Sequence, residues 1–155
     1  MDPLFFPLQS GVGKKTGCTV VNGGFETGDI AGWNSFGPVY VIQDGYEGQY
    51  YARMEGDDVF TAWLWQVIEA DCRNHTLSFQ YRTCPHELVH AVIVEMNGED
   101  CVSEYVPHNQ PNWTLFELEI PATCAGPPTE IKFWVFGSQT EEWKNWMDID
   151  DVKMK

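Results

Sequence analysis

His86-Glu87-Leu88-Val89-His90-Ala91-Val92-Ile93-Val94-Glu95-Met96-Asn97-Gly98 admits two readings, and they lead to different folds. The first five residues match His-Glu-x-x-His, whose chemistry requires a helix. There, residues i and i+4 share a face one turn apart, and both imidazoles reach one Zn²⁺. Pro85 is placed to start such a helix and Gly98 to end one. The next residues argue the other way. Ala91 to Val94 is rich in β-branched side chains, which fit a pleated strand. The run ends in Asn97-Gly98, the pair that supplies two positive φ angles to a type I′ turn, and Glu99 to Val106 follows as a return strand. In a strand the two histidines stand roughly 13 Å apart, too far to share an ion. The segment is expected to be a loop entering a hairpin. A zinc metalloprotease using His86, Glu87 and His90, with Glu99 or Glu104 as third ligand, is the remote alternative.

Outward from this hairpin the same period-two signal recurs. Leu77, Phe79 and Tyr81 alternate with Ser78, Gln80 and Arg82; Phe116, Leu118 and Ile120 alternate with Glu117 and Glu119. Ile131, Phe133 and Val135 alternate with Lys132, Trp134 and Phe136. Such alternation puts one face in a core and the other outward. Strands are expected near 18–22, 38–43, 49–55, 61–69, 75–83, 89–96, 99–106, 113–120, 129–136 and 146–154. Many short strands without a convincing helix predict an all-β, two-sheet antiparallel sandwich or jelly roll over 18–155. Residues 1–17 read as an extended arm, with the apolar stretch Leu4-Phe5-Phe6-Pro7-Leu8 joined by Gly11-Val12-Gly13-Lys14-Lys15 as a hinge.

Composition narrows the function classes. The formal net charge is −14, and with only 9 Lys and Arg the chain offers no basic patch. Nucleic acid and anionic lipid surfaces are therefore excluded as expected partners. No apolar run approaches the length of a membrane-spanning helix, so no membrane insertion is expected. Neutral glycans, cations and basic partners remain compatible. Five cysteines without a CxxC pair argue against a zinc ribbon or a thioredoxin-type site and favour an extracellular or cell-surface setting. Asn74-His75-Thr76 and Asn112-Trp113-Thr114 fit the glycosylation acceptor pattern. Aromatic residues make up 14% of the chain, seven of them Trp. Rings serve both as core and as sugar-stacking surface, because a pyranose presents a flat C–H face to them.

The segment Val20-Val21-Asn22-Gly23-Gly24-Phe25-Glu26-Thr27-Gly28-Asp29-Ile30-Ala31-Gly32-Trp33 resembles the opening of jelly-roll carbohydrate-binding modules of families four, nine and twenty-two. It is similar also to the related galactose-binding-like domains. Gly45 to Ala52 looks like the family's Gly-x-Tyr-Ala strand, and Thr76-Leu77-Ser78-Phe79 like its Tyr-x-Leu-Ser-Phe. Trp113-Thr114-Leu115-Phe116 looks like its Trp-x-x-aromatic, and Ile149-Asp150-Asp151-Val152 like its terminal strand. The resemblance implies non-catalytic binding of a polysaccharide or glycan. It also implies a structural Ca²⁺ held by the side chains of Glu26 and Asp150 and by carbonyls of Gly24 and near Gln49. Those ligand types suit a hard cation, the alternative being a solvated carboxylate at a sheet edge or a hydrogen-bonded Asp.

On this fold the outward candidates for glycan contact are Trp63, Trp65, Gln80, Arg82, Tyr105 and Trp134. In Trp63-Leu64-Trp65-Gln66, i and i+2 place both indoles on one face about 6–7 Å apart. The same alternation also allows both rings to be buried and Leu64 exposed. Trp143 and Trp146, flanking Gln139-Thr140-Glu141-Glu142, offer a second place at a loop tip, and Trp33 is expected in the core. Cys72 before one strand and Cys124 after its antiparallel neighbour form the expected disulfide. Cys84 and Cys101 are the next pair by count, although strand parity puts them at opposite ends, and Cys18 is the candidate for the odd, free or intermolecular thiol. A second class of function is a self-assembling surface or filament subunit, in which the N-terminal arm adds a strand to a neighbour.

Overall fold

The computed structural model describes residues 17–57, 60–86, 88–138 and 142–155, and the described residues form strands and turns without a helix. In chain order the strands are β1 (Asn34–Phe36), β2 (Val39–Gln43), β3 (Tyr50–Gly56), β4 (Ala62–Ile68) and β5 (Thr76–Thr83). They continue as β6 (His90–Met96), β7 (Glu99–Tyr105), β8 (Gln110–Glu119), β9 (Thr129–Val135) and β10 (Asn145–Met154). Two five-stranded sheets result: sheet A in the order β1-β4-β9-β6-β7, and sheet B in the order β2-β3-β10-β5-β8. All strand pairs are antiparallel, and the architecture is a jelly-roll sandwich.

The period-two patterns determine which side chains meet between the sheets. In β4, Ala62, Leu64, Gln66 and Ile68 point inward, so Trp63, Trp65 and Val67 stand on the outer face. In β9, Ile131, Phe133 and Val135 are fully buried. Phe133 sits at the centre of the core, 4.9 Å from the Phe79 ring of sheet B and 6.1 Å from Trp33. Burying each such side chain stabilises the fold by about 1.5–3 kcal/mol. The Asn97-Gly98 hairpin forms as expected, with φ of 51° and 79°, and places β7 at the edge of sheet A.

The opening segment differs from expectation: 18–22 is not a strand, and β1 (Asn34–Phe36) takes the edge beside β4 instead. Positive φ at Asn22 and Phe25 turns the backbone away from an extended path. The buried Gln66 amide completes what a strand partner would have provided. It accepts from Val21 N at 2.7 Å and donates to Val21 O at 2.9 Å. At Gly23 a Cβ would lie 1.9 Å from the Val152 carbonyl, so only glycine lets this segment lie against β10.

The cysteine pairing is corrected as well. Cys18 bonds Cys72, and Cys101 bonds Cys124, with Cα separations of 5.4 and 5.5 Å; Cys84 is the free, buried thiol. The expected Cys72–Cys124 link fails because the chain leaves β8 to cross toward sheet A. That path carries Cys124 to the edge strand β7, while the opening segment brings Cys18 to Cys72. Of the expected arm, residues 1–16 lie outside the described residues, as do Glu87 and 139–141. The two histidines of the zinc-type motif sit in a non-helical stretch. His86 stacks on Trp143 at 4.5 Å, and the buried His90 opens β6.

Candidate functional site

The six residues expected to touch a ligand divide between the two outer faces. Gln80 and Arg82 belong to sheet B; Trp63, Trp65, Trp134 and Tyr105 belong to sheet A.

On sheet B the organising group is Asp148 of β10, which is fully buried. Arg53, its register partner on β3, bonds it through Nε at 2.7 Å and Nη2 at 2.9 Å. Arg82, its partner on β5, approaches from the other side at 3.2 Å through Nε and 3.0 Å through Nη2. Two of the chain's three arginines are thus latched to one carboxylate. The hydrogen bond with Asp148 raises the Arg53 guanidinium above its ordinary value, against the burial that lowers it. Each guanidinium also lies over a ring. Arg53 is 4.5 Å from the Trp146 ring, while Arg82 is 4.2 Å from Trp113 and 5.1 Å from Tyr51. Tyr51 and Tyr46 pack edge-on to Trp113 at 5.5 and 6.2 Å. Gln80 lies one step along this face, opposite Leu115. Burying a charge triad adds little net stability compared with apolar residues of the same shape. What the triad supplies is a pair of fixed, planar donor groups beside indole and phenol faces. Arg53, Trp113, Trp146 and Asp148 went unrecognised as one cluster, because they come from three strands, β3, β8 and β10, that only the sheet register joins.

On sheet A the outer face carries two shallow clefts. One, of about 440 Å³, is lined by Phe36, Trp63, Trp65, Glu130 and Lys132. The other, of about 190 Å³, is lined by Ala91, Ile93, Ser103, Glu104, Tyr105 and Trp134. Trp63 and Trp134 stack at 5.3 Å, with the Lys132 ammonium 5.6 Å from the Trp63 ring. The sequence left the burial of Trp63 and Trp65 open; Leu64 is the buried residue and both indoles face outward.

The expected cation ligands lie together at one end of the molecule, though not on two paired strands. Glu26 sits in a turn, where its carboxylate accepts from Gln49 N at 2.9 Å and Tyr50 N at 2.9 Å. Asp150 is fully buried and accepts from Glu47 N at 2.9 Å and Asp151 N at 2.7 Å. Burial pushes the Asp150 carboxyl up to about 6; these amide bonds oppose the shift, and the negative charge of Glu26 adds to it. Gly24 fits between the two acids, its Cβ position 3.5 Å from Glu26 Cγ and 4.0 Å from Asp150 Oδ1. Among the described residues no three or more His, Cys, Asp or Glu side chains converge as a metal site. The pair therefore fits a hard cation only if carbonyl oxygens complete the shell.

A polar knot closes the end of the sandwich near β6. The Cys84 thiol donates to Asn145 Oδ1 at 3.2 Å, and Asn145 Nδ2 holds the Val89 and Phe136 carbonyls. His90 Nε2 lies 3.0 Å from the Trp146 carbonyl. Burial pushes His90 down to about 4, and the bond to Trp146 only partly offsets this, so the ring is neutral at pH 7.

No family model matches the chain, and no curated protein matches it. Solved structures do. The module TmCBM61, in complex with β-1,4-galactotriose, superposes with a TM-score of 0.67 at 23% identity, over 86% of this chain and 94% of that one. A family 16 carbohydrate-binding module gives 0.65 at 16% identity, over 88% and 98%. A cyclase from Fischerella sp. TAU gives 0.61 at 12% identity, over 87% and 94%. At these identities the likeness shows a carbohydrate-binding-module-like β-sandwich fold, which hosts more than one function.

Proposed function

We propose that this chain is a non-catalytic module that binds a neutral glycan on the outer face of sheet B, in the manner of the family four, nine and twenty-two group. The observation that carries the reading is the Arg53–Asp148–Arg82 latch laid against Trp146, Trp113 and Tyr51. Planar donors held beside flat rings match a sugar, whose C–H face stacks while its hydroxyls accept hydrogen bonds. Gln80, though on the same face, is buried opposite the exposed Leu115 and adds little to the accessible surface. Two disulfides suit an oxidising compartment, which supports an extracellular or cell-surface location. Among the described residues no helix is long and apolar enough to cross a membrane.

Ca²⁺ is part of the proposal. Glu26 and Asp150 would hold it by carboxylate and Gly24 and Gln49 by carbonyl, fixing the turn at 44–50 to the end of β10. In a thermal melt, millimolar Ca²⁺ is expected to raise the midpoint and EDTA to reverse the rise. Asp150→Asn should remove the response; a wild-type midpoint indifferent to Ca²⁺ discards the site.

A glycan array followed by titration calorimetry tests the binding. Selective binding to one neutral polysaccharide class is expected, with Trp113→Ala and Arg82→Ala each weakening it by about tenfold or more. A folded protein silent across the array, or binding that ignores both substitutions, overturns the assignment to sheet B.

A further inference from the structure

The outer face of sheet A is organised in rows that run across its strands. Register places Phe36 beside Trp63, Trp63 beside Trp134, Trp134 beside Ala91, and Ala91 beside Tyr105. This row crosses the whole sheet, a span of about 19 Å at the ordinary inter-strand spacing. It is aromatic except at Ala91, whose small side chain leaves room for the smaller cleft between Trp134 and Tyr105. The two ends are open: Phe36 is 56% exposed and Tyr105 is 77% exposed. The adjacent row reads Asn34, Trp65, Lys132, Ile93, Ser103 and supplies polar groups along the same path. A third row holds Glu130, Glu95 and Asp100. Lys132 is neutralised by Glu95 at 2.6 Å and Glu130 at 3.3 Å. Trp134 lines the smaller cleft, and its indole N–H has no acceptor among the described residues.

We infer that this face is a second glycan-binding surface, separate from sheet B, and that the domain is therefore a two-sided cross-linker of neutral polysaccharide chains. A ligand here meets an aromatic strip with hydrogen-bonding groups along one side. Its partner has to be flat, apolar on one face and hydroxyl-rich at its edge, which describes a neutral polysaccharide chain. The acidic third row and the net charge of −14 turn away polyanions. The aromatic row itself carries no carboxylate; of the two acids at its clefts, Glu130 is already paired with Lys132, which leaves Glu104 at the rim of the smaller one. Opposite faces of one sandwich cannot contact the same stretch of chain, so occupancy of both joins two chains. The face stands on its own observations; only the cross-linking rests on the function proposed for sheet B.

The experiment uses the whole chain, a panel of neutral β-linked oligosaccharides by calorimetry, and the matching long polysaccharides by turbidity. The wild-type chain is expected to bind two oligosaccharides and to make the polymer solution turbid. Trp63→Ala should leave one site and abolish turbidity while Arg82-dependent binding persists. Arg82→Ala should leave the complementary single site. Because Trp63 is partly packed against Trp134, Phe36→Ala and Tyr105→Ala serve as variants at exposed positions, each weakening the sheet A site by roughly three- to tenfold. One site that vanishes with Arg82→Ala and ignores Trp63→Ala, Phe36→Ala and Tyr105→Ala overturns the inference and leaves the first function standing. No binding at either face overturns both. A concentration-dependent dimer lost on Trp63→Ala, with no second glycan site, overturns it in favour of a second copy of this chain as the occupant.

Discussion

Asp148→Asn is expected to weaken glycan binding by about thirtyfold or more, equivalent to roughly 2 kcal/mol, and to destabilise the fold at the same time. The carboxylate is fully buried and engages both guanidiniums, whereas an amide oxygen accepts from only one with comparable geometry. Loss of the shared anion leaves two half-buried cations facing each other across β10. Breaking a buried ion pair from one side costs about 3–5 kcal/mol. Arg53 and Arg82 keep 27% and 24% of their side chains in water, so the lower end of that range applies. Chemical denaturation and calorimetry on the same sample separate the two effects. A variant that keeps wild-type affinity despite reduced stability shows that the latch serves the fold and not the ligand.

The second large effect is expected from the Cys18–Cys72 bridge. It closes a loop over a sequence separation of 54 residues, for which the chain-entropy estimate is about 4 kcal/mol. The bond ties the opening segment to the end of β4, and that segment brings Gly24, Glu26 and the buried Phe25 into place. Cys18→Ala with Cys72→Ala should lower the melting midpoint by roughly 8–16 °C for a domain of this size. Under non-reducing conditions, Cys84 should stay unalkylated in the wild-type fold and react only on unfolding. Peptide mapping that finds Cys72 joined to Cys124 instead, or an unchanged midpoint, contradicts the pairing.

Much of the fold was legible from local chemistry. Asn97-Gly98 specified a hairpin because two positive φ angles are cheap only for such residues. The β-branched run Val92-Ile93-Val94 overruled the helix that His-Glu-x-x-His invites. Side-chain parity needs no tertiary information when a strand is half-buried, and so Phe133, Phe79 and Leu77 could be assigned to the core. Parity alone could not say which of Trp63 and Leu64 was inside, since both are apolar. Register decided it: Leu64 lies directly beside Phe133 of β9, and both are fully buried between the sheets.

The sequence by itself determined an antiparallel all-β domain, a net charge of −14, and the inward faces of three of its strands. Those are consequences of local propensity, period and charge, each readable within a few residues. Only the tertiary structure decided which cysteines meet, that Gln66 stands in for a strand beside Val21, and that the suspected ligand residues occupy two opposite faces. It alone joined Arg53, Arg82 and Asp148. These depend on strand order and register, through which residues 29 and 66 positions from one another come to share a carboxylate. Sheet order is set by the summed packing of the whole core, and no single stretch of the chain encodes it.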